Sequence, residues 1–305
     1  VSGISEERLA PVNGIEIAYQ EVGDRSGEPL LLVMGLGTQM LAWDEEFCAI
    51  LAERDFRVVR FDNRDIGHST MLDSAGVPSR LDMLAGRRAT APYLLMDMAA
   101  DAFALMDELE IESAHLVGAS MGGMIAQTMA IRRPERVRSL VSMMSTTGNR
   151  WVGAPTLRVW GALLADYPRS RDAYVERVVK TFDLVGSPGF PRDEARLRKL
   201  AGEMYDRSHN PAGILRQMHA ITASGDRTGD LHRLQLPTTV IHGRQDHLVR
   251  PSGGRATARA IPGAKLKMIE GMGHDLPQAL WPTFVEEIVA NAALAGRRTP
   301  ATQAA

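Results

Sequence analysis

A serine with a glycine two residues to either side stands at Gly118-Ala119-Ser120-Met121-Gly122, and its surroundings suit it to chemistry. Residues 114–117 before it are apolar and strand-like, and residues 122–132 after it have helical spacing, so the pentapeptide falls on a strand-to-helix turn. So sharp a turn strains the central residue, and the glycines let neighbouring backbone pass where a Cβ would clash. It also aims the first N–H groups of the helix at the point where an attacked carbonyl would gain negative charge. Ser120 would be an exposed nucleophile, with the Met121 N–H as one oxyanion donor. The bland alternative is a serine that caps the helix, which has no use for two flanking glycines.

A serine hydroxyl attacks only if a base removes its proton, and that base is usually a histidine oriented by a carboxylate. Eight histidines compete. His115 and His242 lie in expected strands; His209, His219 and His232 lie in a long helical stretch; His68 and His247 lie in other loops. His274, in Gly271-Met272-Gly273-His274-Asp275, follows the expected strand 265–269 and so sits at the carboxyl edge of a sheet, where ligands bind in open α/β folds. It is the expected base. Asp246, just beyond the expected strand 238–242, is the expected acid. Asp275 is set aside because consecutive residues seldom point at each other. The other plausible loop, Ser145-Thr146-Thr147-Gly148-Asn149, holds no carboxylate.

The second oxyanion donor is expected from Gly35-Leu36-Gly37-Thr38, after the strand 30–34, through the Leu36 N–H. Gly35, Leu36 and Met121 would then lie against bound substrate. A dinucleotide site is the competing reading of Gly35-Leu36-Gly37, but Met40 stands where a third glycine is needed, so no cofactor is expected. No metal is expected either: Cys48 is the lone cysteine and has no ligand pattern around it.

These groups need a scaffold that brings several strand ends to one edge. Short apolar runs at 15–22, 30–34, 57–61, 114–117 and 137–144 alternate with helical spacing at 41–54, 96–109 and 122–132. The alternation resumes with strands at 238–242 and 265–269 and helices at 251–260 and 282–295. Near-continuous apolar strands alternating with helices argue for an α/β fold, a mostly parallel sheet covered on both faces. The rhythm stops at 148–233, which reads as helical without a buried strand. We expect a core of residues 1–147 and 234–305, with 148–233 inserted as a helical cap and 296–305 a disordered tail. Leaving the sheet at the edge that carries Ser120, the cap would cover the site and set specificity while the core does the chemistry. Its apolar residues, Trp151 and Met218 among them, would pack within the cap or wall a hydrophobic chamber.

The chain has 305 residues, 45% apolar and 24% charged, and 35 basic against 37 acidic side chains leave a formal charge of −2. Nucleic acid and anionic membrane surfaces are therefore unlikely partners, since neither finds a basic patch here. No run approaches the roughly 18 to 20 apolar residues that span a bilayer. Residues 1–10 carry Glu6 and Glu7 and no apolar secretory core. With a single cysteine, a reducing cytoplasm is the expected compartment.

The order Ser120, Asp246, His274 over most of the chain resembles the α/β-hydrolase family. The segment Asp62-Asn63-Arg64-Asp65-Ile66-Gly67-His68-Ser69 is similar to the family's D-x-R-x-x-G-x-S loop, a structural feature near its active site. Val33-Met34-Gly35-Leu36-Gly37, the segment around Trp43 and Gly271-Met272-Gly273-His274 are most similar to actinobacterial esterases of the aclacinomycin methylesterase type. Met34-Gly35 replaces the His-Gly pair of many members, which leaves the backbone donors in place. The resemblance implies a cofactor-independent serine esterase acting on a small-molecule ester through an acyl-enzyme. Alternatives on the same triad are a perhydrolase or haloperoxidase-like activity and a thioester, lactone or carbon–carbon hydrolase. A non-catalytic small-molecule receptor would retain the fold alone.

Overall fold

The computed structural model describes residues 3–165 and 167–296, so the expected disordered tail lies, apart from Gly296, outside the described residues. Eight strands form one sheet: β1 (Arg8–Val12), β2 (Ile15–Val22), β3 (Glu28–Val33), β4 (Phe56–Phe61), β5 (Ala114–Ala119), β6 (Val137–Met143), β7 (Thr238–Gly243) and β8 (Lys265–Ile269). Their order is β1-β2-β4-β3-β5-β6-β7-β8. The pairs β1–β2 and β2–β4 are antiparallel, and every other pair is parallel. The helices are α1 (Glu45–Ala52), α2 (Arg80–Ala85), α3 (Leu95–Glu108), α4 (Met121–Arg132), α5 (Leu157–Leu164), α6 (Arg171–Val185), α7 (Glu194–Arg207), α8 (Pro211–Ser224), α9 (Thr228–Leu231), α10 (Ser252–Ala260) and α11 (Trp281–Ala295).

Strand side chains alternate between faces, and the two layers follow from that period. On β3, Leu31 and Val33 join a core with Met98, Ala102 and Met106 of α3 and Ile125 and Met129 of α4. Leu30 and Leu32 face the other way, against Phe47 and Leu51 of α1 and Phe284 and Ile288 of α11. Burying each such leucine contributes about 1.5–3 kcal/mol. Because α1 and α4 cover opposite faces, the loops after β3 and β5 diverge between neighbouring strands. That divergence makes this a switch point of the sheet, the place where ligands bind in α/β folds.

Two expectations change. The edge strand β1 is absent from the sequence reading, because Pro11 and exposed residues at alternate positions obscure it. The helix expected at 41–54 is shorter. Residues Met40–Ala42 form a 3-10 turn, and the Asp44 side chain, accepting from the Glu46 N–H at 3.0 Å, starts α1 afresh.

Between β6 and β7 the described residues hold only helices, α5 to α9. Two buried ion pairs fasten this insert to the loop after β4: Arg207 to Asp62 at 2.6 Å and Arg216 to Asp65 at 2.7 Å. Trp151 is not a wall of anything; it is 77% exposed, with Arg150 stacked on its ring at 4.7 Å. Met218 is buried. No helix among the described residues is long and apolar enough to cross a membrane.

Candidate active site

Ser120 joins β5 to α4 with φ 56° and ψ −119°, a region in which a residue with a Cβ is strained by roughly 1–3 kcal/mol. Its side chain makes no capping hydrogen bond, so it does not serve the helix as a cap. The strain is over-determined by its neighbours. The Ser120 N–H donates to Met143 O at 2.9 Å, and the Ser145 hydroxyl donates to Ser120 O at 2.8 Å. Both flanking glycines are required for closeness: a Cβ on Gly118 would meet Gly122 O at 2.2 Å, and one on Gly122 would meet Val33 O at 2.0 Å.

The loop after β3 reaches the same point. A Cβ on Gly35 would stand 3.1 Å from the Ser120 Cβ and 3.6 Å from its Oγ. The turn Gly35-Leu36-Gly37-Thr38 closes with Thr38 N–H to Gly35 O at 3.3 Å, and Gly37 takes φ 66° within it. The Leu36 N–H has no partner among the described residues, and the Met121 N–H, first in α4, has no helical acceptor. Neither N–H is thus taken up by another group among the described residues. Asn63 Nδ2 donates to Met34 O at 2.9 Å, and Gly37 N–H donates to Gln217 Oε1 at 2.9 Å. Gln217 in turn donates to Arg64 O at 2.8 Å.

Asp246 and His274 meet directly, Oδ2 to Nδ1 at 2.7 Å. The other oxygen of Asp246 accepts from the N–H groups of Leu248 at 2.9 Å and Val249 at 2.8 Å. A carboxylate offers only acceptors, so Nδ1 of His274 is the donor in this bond. Ser120 follows β5 and Asp246 follows β7, with β6 between them. At strand spacing their backbones are about 10 Å apart, a gap that an imidazole bonded at both nitrogens spans. Ser120 Oγ makes no hydrogen bond to His274 or to any other described residue, while its backbone N–H and O are both bonded.

Asp275 and four of the competing histidines are committed elsewhere. Asp275 accepts from the Ser187 hydroxyl, and burial pushes its carboxyl above the usual range. His242 binds Val249 O at 2.7 Å, and burial holds its imidazole below the ordinary value, so beside Asp246 at 3.5 Å it stays neutral. His115 lies at the opposite, amino edge of the strands, between Ser139 at 2.8 Å and Glu28 at 2.9 Å. His219 and His209 bond to backbone carbonyls of Arg87 and Pro168. No group of three or more His, Cys, Asp or Glu among the described residues could hold a metal ion.

The loop 62–69 is a buried hub. Arg64 grips Asp101 with both bonds at 2.6 Å; Asp65, at φ 69°, takes Arg216, the Tyr93 hydroxyl at 2.8 Å and the Leu72 N–H at 2.8 Å. Burial raises the Asp62 carboxyl despite the adjacent Arg207 guanidinium. Sequence reasoning missed Gln217, Arg207 and Arg216, which reach this loop from the insert, and Ser187, which reaches Gly273 and Asp275. Nothing local marks them.

Residues 28–277 match the family described as the alpha/beta hydrolase fold. Rhodomycin D methylesterase DauP of Streptomyces sp. strain C5 and Rhodomycin D methylesterase DnrP of Streptomyces peucetius are each 28% identical over 305 residues, covering 93% of this chain and 97% of their own. Among solved structures, the enol-lactonase from Burkholderia xenovorans LB400 shares the fold with a TM-score of 0.71 at 24% identity, over 94% of this chain and 100% of its own. The family match runs from β3 past His274 and takes in the elbow, the Asp246 loop and the whole insert; the chain belongs to the α/β-hydrolase fold family.

Proposed function

We propose that the protein is a serine esterase that cleaves esters of hydrophobic small molecules through an acyl-enzyme. His274 Nε2 takes the Ser120 Oγ proton as Oγ attacks the ester carbonyl, and the Leu36 and Met121 N–H groups hold the oxyanion. Collapse of the tetrahedral intermediate breaks the bond to the alkoxy oxygen, which leaves as alcohol with the proton from His274. Water, deprotonated by the same imidazole, then attacks the acyl group and regenerates Ser120. Asp246 keeps the imidazole in the working tautomer. The contact of 2.7 Å between His274 and Asp246, set two strands from a strained serine, carries this reading.

In this proposal residues 148–233 act as a cap over the switch point and set specificity. Buried apolar side chains such as Ile214 and Met218 suit a hydrophobic ester of moderate size, not a peptide or oligosaccharide. Two methylesterase relatives aligned over nearly the whole chain favour an ester whose alcohol is small. Turnover of p-nitrophenyl acetate tests the reading: native protein hydrolyses it and Ser120→Ala does not. Equal rates from the two proteins would refute it.

A further inference from the structure

We propose that Ser187, which lies in the insert, is a positioning residue for His274, clamping the backbone of the base's loop while Asp246 holds the ring. The inference rests on the reading of Ser120 and His274 as nucleophile and base. It starts where α6 ends. Val185, its last residue, accepts the His274 N–H at 2.6 Å. Two residues on, the Ser187 hydroxyl accepts the Gly273 N–H at 2.8 Å and donates its own proton to Asp275 Oδ1. The Gly189 N–H then donates to Gly271 O at 2.9 Å. Segment 185–189 therefore runs against 271–275 like a short antiparallel strand.

The glycines of Gly271-Met272-Gly273-His274 acquire a physical reason from this contact. A Cβ on Gly273 would stand 2.3 Å from Gly186 O, and one on Gly271 would stand 2.8 Å from the Gly189 Cα. They are the price of bringing insert backbone against the base's own backbone. The clamp defines three points around one imidazole. Asp246 fixes Nδ1, Val185 fixes the His274 N–H, and Ser187 ties the residues before and after it to each other. Asp275 is half-buried, and that burial raises its carboxyl. Without the Ser187 hydroxyl, the Gly273 N–H and the Asp275 carboxyl lose their shared partner, and the loop keeps only its backbone bonds to Gly189, Gln245 and Val185 and the Asp246 bond to the imidazole.

Misplacement of a reacting group by about 1 Å can cost on the order of 100-fold in rate. The insert, on this view, contributes to turnover even of a substrate too small to touch it.

Steady-state kinetics on p-nitrophenyl acetate with Ser187→Ala, Ser187→Thr and Ser120→Ala test the proposal, with circular dichroism to establish folding. We expect kcat of Ser187→Ala to fall about tenfold with KM within about twofold, and Ser187→Thr, which keeps the hydroxyl, to recover most of the loss. In proton NMR, the downfield signal of the His274 Nδ1–H should broaden in Ser187→Ala and stay sharp in Ser187→Thr. An unchanged kcat in folded Ser187→Ala, or a Thr variant as slow as Ala, would overturn the positioning role. If folding fails in Ser187→Ala, Asp275→Ala, which removes the acceptor of the Ser187 hydroxyl, decides in its place: a broadened Nδ1–H signal with a lower kcat is expected, and a sharp signal with unchanged kcat would overturn the role. Activity retained in Ser120→Ala would instead remove the underlying reading, so the two failures are distinguishable.

Discussion

His274 and Asp246 are joined by a hydrogen bond of 2.7 Å in which the carboxylate is itself pinned by two backbone N–H groups, so the pair cannot rotate independently. Asp246→Asn would present an amide that can offer N–H to Nδ1 and impose the wrong tautomer. Turnover of p-nitrophenyl acetate should drop by up to about 10⁴, the size of that effect in the well-studied serine protease triad. Asp275→Asn keeps an acceptor for the Ser187 hydroxyl and should cost no more than about tenfold. If the two magnitudes came out reversed, the acid would be Asp275.

Gln217 holds the loop after β3, which carries the proposed oxyanion donor Leu36, from the insert by taking the Gly37 N–H and bonding Arg64 O. Gln217→Leu has nearly the same volume but leaves both backbone groups without a partner. We predict a fall in kcat of about tenfold, smaller than the 10²–10³ lost with an oxyanion donor itself, with little change in KM. A rise in KM alone would show that the glutamine serves substrate binding and not the loop.

Arg216 and Asp65 are 1% and 0% exposed, and the guanidinium also reaches Asp73 at 3.1 Å. Breaking one side of a buried pair strands a charge and costs about 3–5 kcal/mol, whereas replacing both sides is often nearly neutral. Arg216→Leu should therefore lower the urea midpoint sharply. Adding Asp65→Asn should restore part of it, because asparagine tolerates the left-handed backbone at that position. A single-variant loss under about 1 kcal/mol would contradict the insert's attachment through this pair.

His115 gives the pH dependence a sign. Burial is the main cause holding its imidazole below the ordinary value, against an opposing contribution from Glu28. The unfolded chain then binds the proton first, so stability rises with pH in this window and is lost on acidification from about pH 6.5 downward. His242 acts in the same direction; Asp62 and Asp275, raised by burial, act in the opposite one. The fall in Tm between about pH 7.5 and 5.5 should thus be smaller in His115→Asn than in the native protein. Identical falls would mean that His115 does not titrate differently on folding.

How much of this was legible follows from the range of the interactions. Strands such as Leu30 to Val33 are apolar on both faces and bounded by Gly and Pro, so they declare themselves locally. Ser120 is readable because its strain needs Gly118 and Gly122 within two residues. Asp246 and His274 are readable from their places beyond β7 and β8. Gln217 is 180 residues from Gly37, and Ser187 is 86 from Gly273, so their roles arise only once the insert folds over the core. Trp151 misleads in the other direction. An isolated apolar residue looks like core material, but here it lies in water under Arg150.

Covalent capture of the nucleophile tests the central claim most directly. A fluorophosphonate probe, incubated with the native protein and with Ser120→Ala and followed by peptide mass spectrometry, should add its mass to the peptide carrying Ser120 in the native protein alone. Labelling of Ser145, Ser187 or any other serine, or equal labelling of the Ser120→Ala variant, would contradict the account.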